Sequence, residues 1–223
     1  MAINLTKGQT IDLRKNDQGA TFDLSTVTIG LGWDIRKKTS GGFFASLFGG
    51  GNQDDFDLDA MAFLLDENGK IADLGKTIQT NNNRSVGFVE GDIIFYNAKR
   101  HTSGNIWLTG DNRTGDGNGD DEQVIVKLDS LNEKYKKIVF LATIYQGKQK
   151  NQHFSMVSNA YIRAVDAKGK EITRFSLSGD ESLNGMSTMI FAEAYRREGE
   201  WKFRALAEPK NTDLLPELLE SYR

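Results

Sequence analysis

Hydrophobic and polar positions alternate along most of the chain in short runs rich in Val, Ile, Phe and Tyr, separated by glycine and polar turn residues. Such runs read as strands, because β-branched and aromatic side chains pack well on a pleated, half-buried surface. The pattern predicts strands at Thr26–Gly32, Phe56–Leu65, Asp92–Tyr96, Gln123–Leu128, Lys137–Ile144, Ala160–Asp166, Ile172–Leu177, Met189–Tyr195 and Trp201–Ala207. Glu67–Lys70, Ala167–Lys170 and Arg197–Glu200 each place glycine where a tight reversal needs positive φ, and are expected to be hairpin tips. Leu131–Lys136 is expected to form a helical turn. Thr212–Arg223 carries Leu214, Leu215, Leu218 and Leu219 at helical spacing, which predicts a short C-terminal helical tail packed on the sheets. Many short strands with few helices imply an all-β fold, a two-sheet β-sandwich forming a single domain over residues 1–223.

One break interrupts this pattern at residues 36–53, where glycine pairs and polar residues flank Phe43-Phe44-Ala45-Ser46-Leu47-Phe48. Two readings stand for this Gly/Phe-rich insertion: a surface loop whose aromatics fold back on the domain, or an exposed apolar tip for a partner or membrane.

Composition narrows the chemistry. A chain of 223 residues, 38% of them hydrophobic, can bury a core without covalent staples. Its net charge of -3 offers no broad basic field for phosphates, so nucleic-acid binding is not expected. The start lacks the pattern of a secretory signal and no run approaches the length of an apolar spanning helix, which predicts a cytoplasmic protein. The chain has no cysteine and two histidines, His101 and His153, so thiolate sites are excluded and a metal would be held mainly by oxygen. Thiolate capture or reduction of an oxyanion is excluded for the same reason.

Oxygen donors are concentrated in two places. In Asp55-Phe56-Asp57-Leu58-Asp59-Ala60 the aspartates alternate with apolar residues, which on a strand puts carboxylates on one face. Like charges at that spacing repel unless a cation neutralises them. The second cluster, Asp111 to Glu122, supplies carboxylates, side-chain amides and pliable glycine backbone, the donor mixture that suits calcium better than magnesium. It is not an EF-hand. Counting from Asp116, Asn118 and Asp120 fit, but Asp121 replaces the required glycine and Lys127 the bidentate glutamate.

Gly30-Leu31-Gly32-Trp33-Asp34, Asp55–Asp59, Asp92-Ile93-Ile94-Phe95-Tyr96-Asn97, Gly110–Glu122 and Val157-Ser158-Asn159-Ala160 occur in an order that resembles the tellurium-resistance D family over nearly the whole chain. The resemblance implies a calcium-binding β-sandwich in bacteria that withstand tellurite, oxidants or phages. It implies metal ligands among Asp34, Asp57, Asp59, Asp111, Asn112, Asp116, Asp120, Asp121 and Glu122, with Asn97 and Asn118 secondary. The segment around Gly41–Gln53 and the connection Asp73–Gly91 depart from the compact family pattern.

The reading that follows is a calcium-dependent interaction module with protein partners in a stress-response complex, its association with a membrane left open. No nucleophile, base and orienting group cluster together, so an enzyme is not expected. His153 near Ser155 and Ser158 lacks a nucleophile elbow. The alternatives are a metal-dependent phosphoryl-transfer or phosphoesterase enzyme built on the acidic loop, and a calcium-bridged lipid or sugar binder.

Overall fold

The computed structural model describes residues 3–13, 21–35, 57–80, 84–109, 119–177 and 181–223. Calls on strands and acidic ligands that fall at 36–56 and 110–118, including Phe56, Asp111, Asn112, Asp116 and Asn118, lie outside the described residues.

The strands among the described residues are, in chain order, β1 (Ile3–Leu5), β2 (Thr10–Asp12), β3 (Val27–Ile35), β4 (Leu58–Leu65), β5 (Lys76–Gln79), β6 (Ser85–Val89), β7 (Ile93–Ile94), β8 (Ile106–Leu108), β9 (Glu122–Val126), β10 (Lys137–Ile144), β11 (Val157–Val165), β12 (Glu171–Leu177), β13 (Thr188–Arg197) and β14 (Glu200–Lys210). Two short helices, α1 (Gly147–Lys150) and α2 (Leu215–Leu219), accompany them. The first sheet runs β1-β12-β11-β3-β9-β8 and the second β2-β14-β13-β10-β4-β7. The fold is therefore an all-β sandwich. No helix among the described residues is long and apolar enough to cross a membrane.

The sandwich core forms where alternate residues of each sheet face inward. Leu31, Leu58, Leu64, Phe140, Phe191 and Phe203 belong to one continuous buried cluster between the sheets. The opposite face of the second sheet carries a separate cluster containing Met61, Phe63, Leu141 and Ile190. Leu218 and Leu219 of α2 join it, with Val86 and Phe88 of β6 packed against it. Burying one such leucine contributes about 2 kcal/mol, so α2 holds its place by those two side chains. Because both faces of the second sheet are covered, β4 is buried along its whole length.

Most expected strands lie within a few residues of the observed ones, and Lys137–Ile144 coincides with β10. Asp92–Tyr96 shrinks to the two-residue β7, because Phe95 and Ala98 bond each other across a tight turn. Two of the expected hairpin tips are real. Arg197–Glu200 joins β13 to β14 with Glu198 and Gly199 both at positive φ, and Ala167–Lys170 joins β11 to β12. Glu67–Lys70 is a turn but not a hairpin tip, since β4 pairs with β10 and β7 rather than with the strand that follows. Its chain reversal is held by Asp66, whose Oδ1 accepts the amides of Asn68 and Lys70 at 2.8 and 2.9 Å. These bonds to the ionised carboxylate hold its pKa below the usual value.

The helical turn expected at Leu131–Lys136 is displaced: a 3-10 turn occupies Leu128–Ser130 instead. The C-terminal tail is helical as expected, but Leu214 precedes the helix and is exposed rather than part of its buried stripe. The connection Asp73–Gly91 contains the β5–β6 hairpin, a separate two-stranded sheet.

Candidate functional site

The two acidic segments meet at one end of the sandwich. At the start of β9 three consecutive carboxylates diverge onto three different strands. Glu122 crosses to the second sheet, where its Oε2 accepts the amide of Ala60 at 2.6 Å. That amide lies on the edge of β4 facing β7, beyond the point where the two-residue β7 ends, so the carboxylate satisfies a ladder donor that β7 does not reach. Asp121 stays within the first sheet: its amide bonds the carbonyl of Leu31, and its Oδ2 accepts the amide of Trp33 at 2.9 Å. Both side chains are buried.

Asp120 points to the outer face of the first sheet. Arg163 of β11 grips it with Nε at 2.7 Å from Oδ1 and Nη2 at 3.1 Å from Oδ2. Gln123 Nε2 lies 3.1 Å from Oδ2, and the Tyr161 hydroxyl lies 3.1 Å from Oδ1 and 2.7 Å from the Gly119 carbonyl. Arg163 also bonds Glu171, which in turn holds Arg174. Burial works against the Glu171 charge, but the two guanidinium groups outweigh it and keep its pKa low. Burial and the Asp120 charge push the Tyr161 phenol up to about 12. The pattern Gly30-Leu31-Gly32 in β3 makes room for this layer, since a Cβ on Gly30 would overlap the Asp120 carboxylate and one on Gly32 the Tyr161 ring.

Of the residues implied as ligands, Asp57 and Asp59 sit at the beginning of β4, and the Asp57 carbonyl accepts the amide of Tyr145. Asp59 shares its face of β4 with Met61, away from the core between the sheets. Asp59 and Asn97 line the same cavity under the β5–β6 hairpin. Asp34 lies in β3 in register with Ser158 of β11. Asp120 is engaged by two guanidinium hydrogen bonds from Arg163, the Gln123 carboxamide and the Tyr161 hydroxyl. Among the described residues no three His, Asp or Glu side chains converge tightly enough to hold an ion by themselves. Asp57, Asp59, Asp121 and Glu122 carry hard carboxylate oxygens, the donor type that calcium takes. Asp59, Asp121 and Glu122 are all buried.

Sequence reasoning missed a second polar centre. The buried imidazole of His101 lies between Asp92, with Nε2 3.1 Å from Oδ1, and Ser103, with Nδ1 2.7 Å from Oγ. The Ser103 amide donates to Nδ1, so Nδ1 is the acceptor and Nε2 carries the proton toward Asp92. Tyr135 donates to the same Asp92 oxygen at 2.5 Å. Burial opposes the Asp92 charge, yet these bonds outweigh it and lower its pKa, while burial and Asp92 raise that of Tyr135. The Asp92 backbone and Oδ2 also tie down Asp73, so the network fastens the connection that leads into β5. The only signal in the sequence was a histidine in an apolar-flanked loop. His153 bonds Ser155 at 2.7 Å, a contact between residues two apart that fits a local turn.

Residues 1–222 match the TerD domain family. The tellurium resistance protein TerX of Serratia marcescens is 49% identical over 222 residues, covering 100% of both chains. The tellurium resistance protein TerD of the same organism is 39% identical over 93% of this chain and 91% of its own. The stress response protein SCP2 of Bacillus subtilis is 38% identical over the full length of both. Among solved structures, a homologue of the telluride resistance protein from Streptomyces coelicolor A3(2) superposes with a TM-score of 0.58 at 20% identity, covering 89% of this chain and 98% of that one. This likeness bears on the fold.

Proposed function

The chain belongs to the TerD family of tellurium-resistance and stress-response proteins, and from that premise we propose that it is a calcium-binding interaction module acting indirectly, through metal-dependent conformation and protein partners in the cytoplasm. The observation that carries this reading is the meeting of two acidic segments through the 2.6 Å bond from the Ala60 amide to Glu122. Asp57 and Asp59 enter from β4 and Asp121 and Glu122 from β9, and the oxygen-rich segment 111–118 leads directly into the second pair.

Bound among these donors, calcium would neutralise carboxylates that otherwise repel one another. The chain's own residues would carry the consequence. Glu122 links the residues entering β9 to β4, Asp121 links them to β3, and Asp120 links them to β11 through Arg163. A change at the acidic segment would thus reach three strands in two sheets. Such a device suits a partner-binding surface that forms when the metal is present.

Calorimetric titration with calcium, with magnesium as control, tests the reading together with thermal melts in calcium and in chelator. The expected result is saturable calcium heat and a higher Tm, since a ligand at a hundredfold excess over Kd stabilises the folded state by about 2.7 kcal/mol. Identical melts and an absence of calcium heat at several temperatures would overturn it.

A further inference from the structure

The outer face of the second sheet is covered by α2 and the β5–β6 hairpin, whereas among the described residues no buried apolar cluster forms over the outer face of the first. A face left to solvent normally turns polar side chains outward, yet a largely apolar row crosses this one. Register places Trp107 of β8 beside Ile125 of β9, Ile125 beside Thr28 of β3, and Thr28 beside Val165 of β11. All four are half-buried. Their neighbours along each strand belong to the core between the sheets, as Ile106 and Leu108 do on either side of Trp107, so the row itself faces outward.

Charge marks one end of the row. Arg100 pairs with Trp107 at the edge of the sheet and brings its guanidinium carbon to 4.9 Å from the ring centre. Lys127, two residues beyond Ile125, brings its ammonium to 5.9 Å from the same ring. Neither cation forms an ion pair among the described residues. Arg163 and Arg174, farther along the face, are by contrast neutralised by Asp120 and Glu171. Positive charge is thus concentrated at the β8 end, on a chain whose net charge is -3. Stacking on the ring also holds the two cations where long side chains otherwise wander, which lowers the ordering cost of binding a partner there.

We propose that this face docks an acidic segment of a partner protein, with its carboxylates at Arg100 and Lys127 and its apolar side chains on Trp107, Ile125 and Val165. Tryptophan and arginine are residues in which binding energy concentrates at protein interfaces. From Arg100 to Val165 the row crosses five adjacent chain segments, a span of about 19 Å at the usual strand spacing. An extended segment of about six residues covers that distance. An anionic bilayer suits the face less well, because Trp107, Ile125 and Val165 are half-buried in the sheet and do not stand out far enough to enter an acyl boundary. The inference deepens the partner-binding reading above by naming the surface and the partner's chemistry, and it does not depend on calcium.

The test is a two-dimensional NMR titration of the full chain in chelator with a blocked hexapeptide alternating glutamate and leucine, and with its glutamine counterpart as control. The expected result is saturable shifts centred on the Trp107 indole and on Thr28, Ile125 and Val165. The acidic peptide should bind at least tenfold tighter than the control and lose affinity as salt is added. Trp33 and Trp201 are buried, so their indole signals serve as internal references. Arg100→Glu and Trp107→Thr should each weaken binding at least fivefold, while Lys148→Gln, in α1 beside the other sheet, should leave it unchanged. Should Trp107→Thr fail to fold, Arg100→Glu, at an exposed position, still decides the matter. Shifts that do not saturate, equal binding of the two peptides, or wild-type affinity in the folded variants would overturn the proposal. Cosedimentation with phosphatidylserine vesicles in place of peptide binding would overturn it as well, by assigning the face to a membrane. Because chelator is present throughout, a negative result here leaves the calcium titration to stand or fall by itself.

Discussion

The Asp120 carboxylate lies in the space above Gly30 that any side chain at that position would need. The carboxylate cannot swing aside cheaply, because Arg163 holds both of its oxygens. Gly30→Ala should therefore destabilise the protein by about 1–3 kcal/mol, the range for overpacking a well-filled site. Urea denaturation of the variant measures this, and a midpoint equal to wild type would show that the layer over β3 can shift freely.

Breaking the same pair from the other side should cost more. Arg163→Met leaves the Asp120 side chain, 1% exposed, without its guanidinium, and removal of one partner from a buried pair costs about 3–5 kcal/mol. The partial exposure of Arg163 favours the lower end of that range. Asp120→Asn should likewise lower stability while reducing calcium affinity less than Asp121→Asn does, because Asp120 is engaged by arginine. Calorimetry on the two variants, side by side, gives the ordering.

Glu122 allows charge and hydrogen bonding to be separated. Glu122→Gln keeps an oxygen that can accept the Ala60 amide, whereas Glu122→Ala leaves that buried donor unsatisfied at a cost of about 1–3 kcal/mol. Amide hydrogen exchange should show Ala60 losing protection in the alanine variant and keeping most of it in the glutamine variant. Both should weaken calcium binding, since both remove the carboxylate.

Stability should fall at high pH before arginine or backbone chemistry intervenes. The phenols of Tyr161 and Tyr222 are held up at about 12 in the folded protein, Tyr161 by burial and Asp120, and Tyr222 by burial and the charges of Glu208 and Glu193. An exposed tyrosine in the unfolded chain titrates near 10, roughly. The folded state thus retains protons that the unfolded state gives up, so this contribution is complete below about pH 10 and is lost as pH rises toward 12. At the acid end Asp92 has the opposite sign: its pKa is lowered on folding, so its contribution is present above the unfolded value of 3.8 and is lost as pH falls through the folded one. Denaturant midpoints across both ranges check the signs, and Tyr161→Phe should make the alkaline loss shallower.

The strands and the sandwich were legible in the chain because alternation and turn chemistry are local. Lys137–Ile144 reads as a strand from its own side chains, and Glu198-Gly199 reverses the chain by its own backbone preferences. The acidic character of the site was equally plain from Asp57, Asp59 and the run Asp120-Asp121-Glu122. Three consecutive carboxylates, however, look alike in sequence. Their division into an arginine-bound anchor, a β3 cap and a bridge to β4 depends on residues 43, 88 and 62 positions away in the chain, which only folding brings near. The same holds for Gly30 and Gly32, which look like flexible strand positions until Asp120 and Tyr161 are seen to fill the space above them. His101 joined Asp92 and Tyr135, and the cavity beside Asp59 formed under a hairpin hidden in an apparent connection, for the same reason. Local preference settles which segments are strands and where charge collects; partner choice among like side chains is a matter of distance and burial, which the tertiary structure alone supplies.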